Sequence, residues 1–173
     1  MRSRLAPLIG LTVLALSAAA TAAPRTPGAT VTMCRKNQMV GYGLVVGLPG
    51  TGDSFKSSPM TLTALKANVG RVDHGDFDPS VFEHKVAGAM ITAGLLSCAY
   101  SDGSYDVKLE QVVNLKLNTI GDATSLRGGA LLMTPLFGAD GQTYVMGQGA
   151  LTACPDTTDP HVACIEGGGL VAR

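Results

Sequence analysis

The sequence predicts an α+β domain made mostly of antiparallel strands, with one helix at about residues 58–69. Short apolar segments with strand-forming residues alternate with Gly, Pro and Asp-Gly turns, which is typical of antiparallel sheets. Only the stretch after Ser57 or Ser58 combines a capping hydroxyl, an early proline (Pro59) and apolar residues at helical spacing. Those apolar residues are Leu62, Leu65 and Val69, with Gly70 as the terminator. One helix packed against antiparallel strands is the predicted class.

Residues 1–22 have the three parts of a cleaved secretory signal peptide. A short basic start precedes the apolar residues 5–16, and small residues follow, which places cleavage after Ala22 or after Ala20. The chain is therefore predicted to be exported. No later window reaches the roughly 20 apolar residues that a membrane span needs, so no span is predicted.

Composition argues against a partner chosen by bulk charge. The full chain has 13 basic and 13 acidic residues, and removal of Arg2 and Arg4 with the signal peptide leaves a mature charge of about −2. Such a chain does not attract nucleic acid or an anionic membrane surface by bulk charge. Because 46% of the residues are hydrophobic and only 15% are charged, much of the surface must be uncharged, which favours a neighbouring protein.

The predicted elements divide the exported chain into three parts. Residues 23–32 form an extended lead-in, residues 33–153 form the α+β domain, and residues 154–173 form a flexible, cysteine-bearing tail. Within the domain we expect a strand at 40–48, the helix, a loop at 72–83, a strand at 86–96, a turn at 101–104, a long half-buried strand at 106–118, and a hairpin of residues 130–136 and 143–147. Asp140-Gly141 supplies the hairpin turn.

Residues 37–54 interleave strand-forming residues with glycines and end in a Pro-Gly turn. Residues 47–54 have the spacing of a phosphate-binding loop, but Asp53 occupies the position of the required lysine and would repel phosphate oxygens. The glycines also miss the dinucleotide-binding spacing, and Pro49 and Gly50 break any helix that would follow. The sequence therefore predicts no nucleotide cofactor.

A second glycine-rich segment, residues 120–129, contains the polar cluster Asp122, Ser125 and Arg127. One alternative is an anion site made by backbone amides. The favoured interpretation is that these side chains cap a turn and pair with each other or with a neighbouring subunit.

Other chemistry-bearing residues do not form a recognisable reaction centre. The histidines His74, His84 and His161 are scattered, and the acidic residues Asp73, Asp76, Asp78 and Glu83 lie in a polar loop that suits solvated groups or at most a weak calcium site. The sequence therefore predicts no enzyme and no metal centre.

Four cysteines in an exported chain indicate disulfides, with three possible pairings. Cys154 and Cys164 bracket a turn-rich segment and form the favoured pair, which leaves Cys34 with Cys98. The alternative is a zinc site of Cys154, His161 and Cys164, but an oxidising compartment opposes free thiolates and the spacing matches no common zinc knuckle.

Residues 37–53, 120–136 and 138–142 closely resemble the flagellar P-ring protein family. Between these blocks, residues 86–93 and 102–107 are similar to the corresponding strand and turn of that family. Long motifs in the same order make the resemblance specific.

The resemblance covers residues 33–149 and implies a structural subunit of a periplasmic ring around the flagellar rod, at the peptidoglycan layer. It implies no catalytic activity and no cofactor. The implied partners are further copies of the chain, the rod, the outer-membrane L-ring protein, a periplasmic P-ring chaperone and peptidoglycan. A second hypothesis is a monomeric periplasmic module, derived from a P-ring domain, that binds peptidoglycan or a protein.

The resemblance also marks a set of signature and assembly positions. They are Gly41, Tyr42, Gly43, Gly47, Pro49, Gly50, Gly52, Asp53, Gly121, Asp122, Ser125, Arg127, Gly128 and Gly129. The glycines are expected to set strand corners, and Asp53, Asp122 and Arg127 to act as ties at corners or subunit boundaries. Family members are considerably longer, and residues 109–116, the tail and the cysteines differ from their pattern, so the chain is identified as a short or truncated member.

Overall fold

The computed structural model describes residues 26–69, 77–107 and 113–171. In chain order its elements are β1 (Val31–Val46), α1 (Pro59–Val69), a 3-10 helix (Pro79–Phe82), β2 (Val86–Tyr100), β3 (Tyr105–Val107), β4 (Val113–Thr119), β5 (Ala130–Phe137), β6 (Thr143–Ala150) and β7 (Val162–Val171). The strand pairings are antiparallel throughout, and α1 is the one α-helix in the described ranges. This confirms the predicted class of antiparallel strands with one helix.

The sheet closes on itself because β1 pairs on one side with β5 and on the other with β2. The order β1, β5, β6, β7, β4, β2 then returns to β1, so six strands form a closed cylinder. The short strand β3 pairs with β2 beyond the part of β2 that β4 covers. Closure gives the strands of the cylinder a partner on each side, which removes the exposed edges that an open sheet would have.

Alternate residues of each strand fill the interior of the cylinder, as the pleat of a strand requires. From β1 and β2 the buried interior residues are Met39, Val45, Ala87, Ala89, Ile91, Ala93 and Leu95. Small alanines on β2 leave room for the larger side chains of the other strands, which include Leu115, Leu117, Leu136, Val145 and Ile165. The interior is thus packed mainly by apolar side chains of modest size, with the hydroxyl of Thr134 among them.

Helix α1 lies against the outer face of the cylinder and buries a second, smaller apolar cluster. Leu65 of α1 packs there with Leu44 of β1 and Val86 of β2, whose neighbours in sequence point inward. The rings of Phe77 and Phe82 meet at a centroid distance of 5.6 Å and pack at the rim of this cluster. Leu65 and Val69 of the predicted helical face pack in this cluster, whereas Leu62 is not among its residues and Thr61 is the other buried residue of the helix.

The tail is the main correction to the predicted architecture. Residues 154–173 were expected to be flexible, but β7 pairs with β4 on one side and β6 on the other. Gly168 and Gly169, two of the glycines that suggested flexibility, lie where space is short: a Cβ on Gly169 would lie 2.9 Å from Val113 Cβ and 3.0 Å from Val145 Cγ1. Ala163 and Ile165 of the same strand are buried in the interior.

Two strands also differ from the prediction in length. β1 begins at Val31, nine residues before the predicted start, because β2 provides a partner along its whole length. The predicted strand at 106–118 corresponds to β3 and β4, and residues 108–112 lie outside the described residues. The predicted loop at 72–83 ends in the 3-10 helix, and its residues 72–76, with Asp73, His74 and Asp76, also lie outside them.

Across the described ranges, no helix has the length and apolar character that crossing a membrane requires. The predicted signal peptide at residues 1–22 falls in the part of the chain that the structure does not describe.

Candidate functional site

The two glycine-rich segments meet at a pair of aspartates, Asp53 and Asp122, which we call the aspartate clasp. Asp53 is fully buried. Its carboxyl group accepts hydrogen bonds from the hydroxyl of Thr61 (2.5 Å), the backbone N–H of Gly88 (2.8 Å) and the backbone N–H of Ala123 (2.8 Å). This one side chain therefore joins α1, β2 and the second glycine-rich segment.

Asp122 makes the reverse connection, from the second segment back to the first. Its carboxylate accepts from the backbone N–H of Ser54 (2.9 Å), the Ser54 hydroxyl (2.8 Å) and the Ser58 hydroxyl (3.1 Å). Hydrogen bonds from the Ser54 hydroxyl and N–H, with Ser58 contributing less, lower the pKa of Asp122 to about 2. Each segment thus supplies one aspartate that binds the backbone of the other.

The lowered pKa of Asp122 predicts a pH dependence of stability. A carboxyl pKa of about 2 in the folded protein, against 3.8 ordinarily, means that the charged form is favoured by folding, so the gain is complete above about pH 4. As pH falls through about 2 the contribution of Asp122 is lost. Between these pH values, denaturant unfolding should show that the free energy of unfolding falls less steeply with decreasing pH for Asp122→Asn than for wild type. Identical pH profiles would contradict this, and Ser54→Ala with Ser58→Ala should flatten the profile while keeping the carboxylate.

The signature glycines make room for the clasp and for the strands next to it. A Cβ on Gly121 would collide with Asp53 Oδ1 and Ser58 Oγ, so a side chain there would separate the two segments. The glycines whose Cβ would overlap neighbouring atoms are Gly41, Gly43, Gly52, Gly121 and Gly129, and those with positive φ are Gly47, Gly50 and Gly128. Every signature glycine is therefore explained by contacts or backbone angles within the chain itself.

The Pro49-Gly50 turn after β1 allows a test of these backbone angles. Gly50 has a φ of +85° and nothing lies within 4 Å of its added Cβ, so a side chain there is strained but not in collision. Gly50→Ala should lower the free energy of unfolding by about 1–2 kcal/mol, measured by denaturant unfolding. Gly50→Asn is the matched control. Asparagine tolerates this conformation better than alanine, so this variant should lose less free energy of unfolding. Equal losses for both variants would rule out backbone strain as the cause.

The rest of the second segment is held by Thr51 and by local turns. Thr51 accepts at its carbonyl from the backbone N–H of Thr124 (2.8 Å) and donates its hydroxyl to the carbonyl of Ser125 (2.9 Å). The Ser125 hydroxyl accepts from the N–H of Arg127 (3.1 Å), and the exposed Arg127 guanidinium donates to the carbonyl of Thr158 (3.0 Å). Asp122 therefore bonds the first segment, and Arg127 bonds the β6–β7 connection.

Sequence reasoning singled out the two aspartates but not their partners. Thr61 and the backbone of Gly88 lie 8 and 35 residues from Asp53, and no local pattern marks them. Ser58 was expected to be a helix cap, and its hydroxyl instead contacts Asp122.

Tyr42, another signature residue, covers Gly88 from the outer face, and burial raises the pKa of its phenol.

Two disulfides connect distant parts of this framework. Cys34 of β1 pairs with Cys98 of β2, and Cys154 pairs with Cys164 of β7, with Cα–Cα distances of 4.1 and 5.0 Å. Cys154, Asp156 and Cys164 place possible ligand atoms within 4.8 Å of one another, but the two sulfurs are joined and provide no thiolate for zinc. His161, the third residue of the zinc alternative, contacts Asp159 at 2.8 Å instead.

These features define a class: a small, disulfide-bonded, closed-sheet domain whose polar site holds segments of its own chain together. Residues 28–173 match the family model described as flagellar P-ring protein. The chain belongs to the flagellar P-ring protein family, as the resemblance predicted. The match includes the tail at residues 154–173, which the motif comparison had placed outside the resemblance.

Individual relatives show the same relationship. The chain is 48% identical to the flagellar P-ring protein of Agrobacterium fabrum over 120 residues, which covers 68% of this chain and 29% of that protein. It is 38% identical to the Caulobacter vibrioides flagellar P-ring protein over 150 residues, covering 80% of this chain and 38% of the relative. The Rhizobium etli flagellar P-ring protein is 44% identical over 117 residues. The chain thus spans about a third of the length of the curated relatives that it matches.

Proposed function

We propose that this chain is a structural subunit of the flagellar P ring, located in the periplasm around the rod at the peptidoglycan layer. The observation that carries the proposal is the family match over residues 28–173. The aspartate clasp supports it, because the two segments that most resemble the family are the two that the clasp joins. The proposal describes a domain that contributes shape and contacts, not a reaction.

The chemistry of the clasp supports a structural role. The two oxygens of Asp53 accept three internal hydrogen bonds and have no access to solvent, so this carboxyl group is placed to hold segments and not to exchange protons with a substrate. Asp122 is likewise bound by Ser54 of the other segment and by Ser58, which lies just after that segment. A scaffold that is fixed internally can present the same outer surface in every copy of an assembly.

The proposed route and partners follow from the family and from the sequence. Residues 1–22 would direct export and be removed, and residues 23–32 would lead into the domain. The partners are further copies of the chain, the rod, the L-ring protein, a periplasmic P-ring chaperone and peptidoglycan. Since the chain matches only part of each relative, the proposal is that it occupies the part of the ring built by that portion.

Purification of basal bodies tests this role. A tagged full-length chain produced in its own flagellated host should co-purify with detergent-extracted rod and ring complexes. It should be absent from the same fraction of a strain that makes no rod. An exported disulfide-bonded protein of similar size serves as the control for carry-over. Equal recovery from both strains would overturn the proposal.

The same strains distinguish the monomeric binding module. A chain that is retained on purified peptidoglycan sacculi to the same extent with and without the rod, and that never enters basal bodies, would favour the module. No feature of the described residues favours that hypothesis over the ring subunit.

A further inference from the structure

The first third of β1 extends beyond the cylinder. Residues 31–36 pair with β2, and pairing with β5 begins only at Val40. All six of these residues are exposed, on both faces of the strand. We call residues 31–36, with the paired residues of β2, the β1–β2 arm. Within the described residues no strand pairs with the outer edge of this arm.

The register shows which backbone groups point to that outer edge. In an antiparallel pair, directly opposed residues are of two alternating kinds. Residues whose Cα atoms are about 5.5 Å apart form hydrogen bonds to each other, whereas residues whose Cα atoms are about 4.5 Å apart point their N–H and C=O groups away from each other. Cys34 and Cys98 face each other with a Cα–Cα distance of 4.1 Å, so Cys34 points its backbone groups away from β2. By the two-residue repeat, Lys36 does the same.

Further along β1 the same edge is occupied by another strand. Val40, Val45 and Val46 are paired with Phe137, Leu131 and Ala130 of β5, and the β1–β2 register runs without a shift from Met33 to Val46. Cys34 and Lys36 therefore continue a line of outward donors and acceptors that β5 satisfies further along. An edge of this kind accepts an added strand.

We propose that the outer edge of the β1–β2 arm pairs with an edge strand of a second copy of this chain, an inference that rests on the proposed ring function. The β1 edge of one copy could pair with the β1 edge of the other copy or with a different edge of it, and charge decides between these two arrangements. Arg35 and Lys36 make the β1 edge basic, and pairing of two β1 edges would bring both basic pairs into one short stretch. The head-to-tail arrangement avoids this repulsion.

The partner edge is β3, at the other side of the arm. Among the described strands β3 pairs only with β2, so no described strand covers its outer side. The turn before β3 carries the exposed Asp102, whose pKa is held well below its ordinary value by hydrogen bonds from Ser104 and from the backbone of Thr26. A basic edge meeting an acidic edge gives a head-to-tail contact, which repeats into a ring or a filament.

Lys36→Pro tests the pairing, because it removes one outward N–H and leaves the bonds between β1 and β2 in place. Proline is tolerated at such an edge position, and Arg35 before it is already extended. The matched control, Lys36→Thr, loses the same charge and keeps the N–H. The readout is the association constant of the mature, disulfide-bonded chain from sedimentation velocity, with thermal unfolding as the check on folding.

We expect wild type to associate, Lys36→Pro to associate at least about tenfold more weakly, and Lys36→Thr to lose no more than about fivefold. The amides of Cys34 and Lys36 should exchange slowly with solvent only in the associated form. Association of Lys36→Pro equal to wild type overturns the inference and leaves the ring function standing. A wild-type chain that stays monomeric but enters basal bodies also overturns it, whereas failure in both assays removes the proposed function as well.

Discussion

Replacing Asp53 by alanine is expected to lower the free energy of unfolding by about 3–5 kcal/mol. The change removes the carboxylate acceptor of three donors: the Thr61 hydroxyl and the N–H groups of Gly88 and Ala123. The Gly88 N–H keeps only its 3.1 Å bond to the Thr61 hydroxyl oxygen, and the Ala123 N–H, fixed by the backbone, loses its carboxylate acceptor. An unsatisfied buried donor costs about 1–3 kcal/mol, and the lost bonds and the space left by the carboxylate add to this. The measurement is equilibrium unfolding in guanidinium chloride with both disulfides intact.

Two variants show whether the loss comes from the buried hydrogen bonds. Asp53→Asn keeps the shape and one acceptor oxygen but presents an amide N–H₂ to at least one of the donors. Its free energy of unfolding should therefore lie between those of wild type and Asp53→Ala. Asp122→Ala removes a carboxylate from the exposed side of the same clasp, where water can replace it, and should lose much less. If the free energies of unfolding of Asp53→Ala and Asp122→Ala differ by less than about 1 kcal/mol, the buried hydrogen bonds of Asp53 do not stabilise the fold as proposed.

The second large effect is expected from the disulfide between β1 and β2. Cys34 and Cys98 are separated by 64 residues, and closing a loop of that size is worth about 4 kcal/mol in the chain-entropy description. The double variant Cys34→Ala with Cys98→Ala should lose about this amount in denaturant unfolding. Alanine is chosen because Cys98 is fully buried and serine would add an unpaired hydroxyl.

The other disulfide is the matched comparison within the same chain. Cys154 and Cys164 are 10 residues apart, so removing them should cost about 2.5–3 kcal/mol, less than removal of the first pair. Both double variants replace two half-cystines by alanine, and the difference between them isolates the loop length. A larger loss from the Cys154–Cys164 pair would show that loop length does not determine the ranking.

The features of the fold that could be predicted from sequence are local ones. The helix at about 58–69 was marked by Pro59 and by the spacing of its apolar residues, and the structure has it at Pro59–Val69. The hairpin of β5 and β6 was marked by Asp140-Gly141, and Gly141 has the positive φ of +76° that its turn uses. In both cases the determining residues lie within a few positions of one another.

The features that were missed depend on distant parts of the chain. β7 fits between β4 and β6 because Gly169 leaves room for Val113 and Val145, and nothing near three consecutive glycines indicates this. Asp53 was expected to act as a tie at a corner or a subunit boundary, but nothing in the sequence indicated which groups it would bind. Its partner Ala123 is 70 residues away, so its role as an internal acceptor emerges only from the folded chain.

The position of β7 near the end of the described chain imposes an order of events on folding during synthesis. Until residues 162–171 have emerged, the two strands that flank β7 have no partner on that side, and their apolar inward faces stay open to water. The cylinder therefore closes last between β4 and β6, because both of these strands are made before β7. During that interval the nascent protein is most exposed to mispairing, and any factor that shields it must act there.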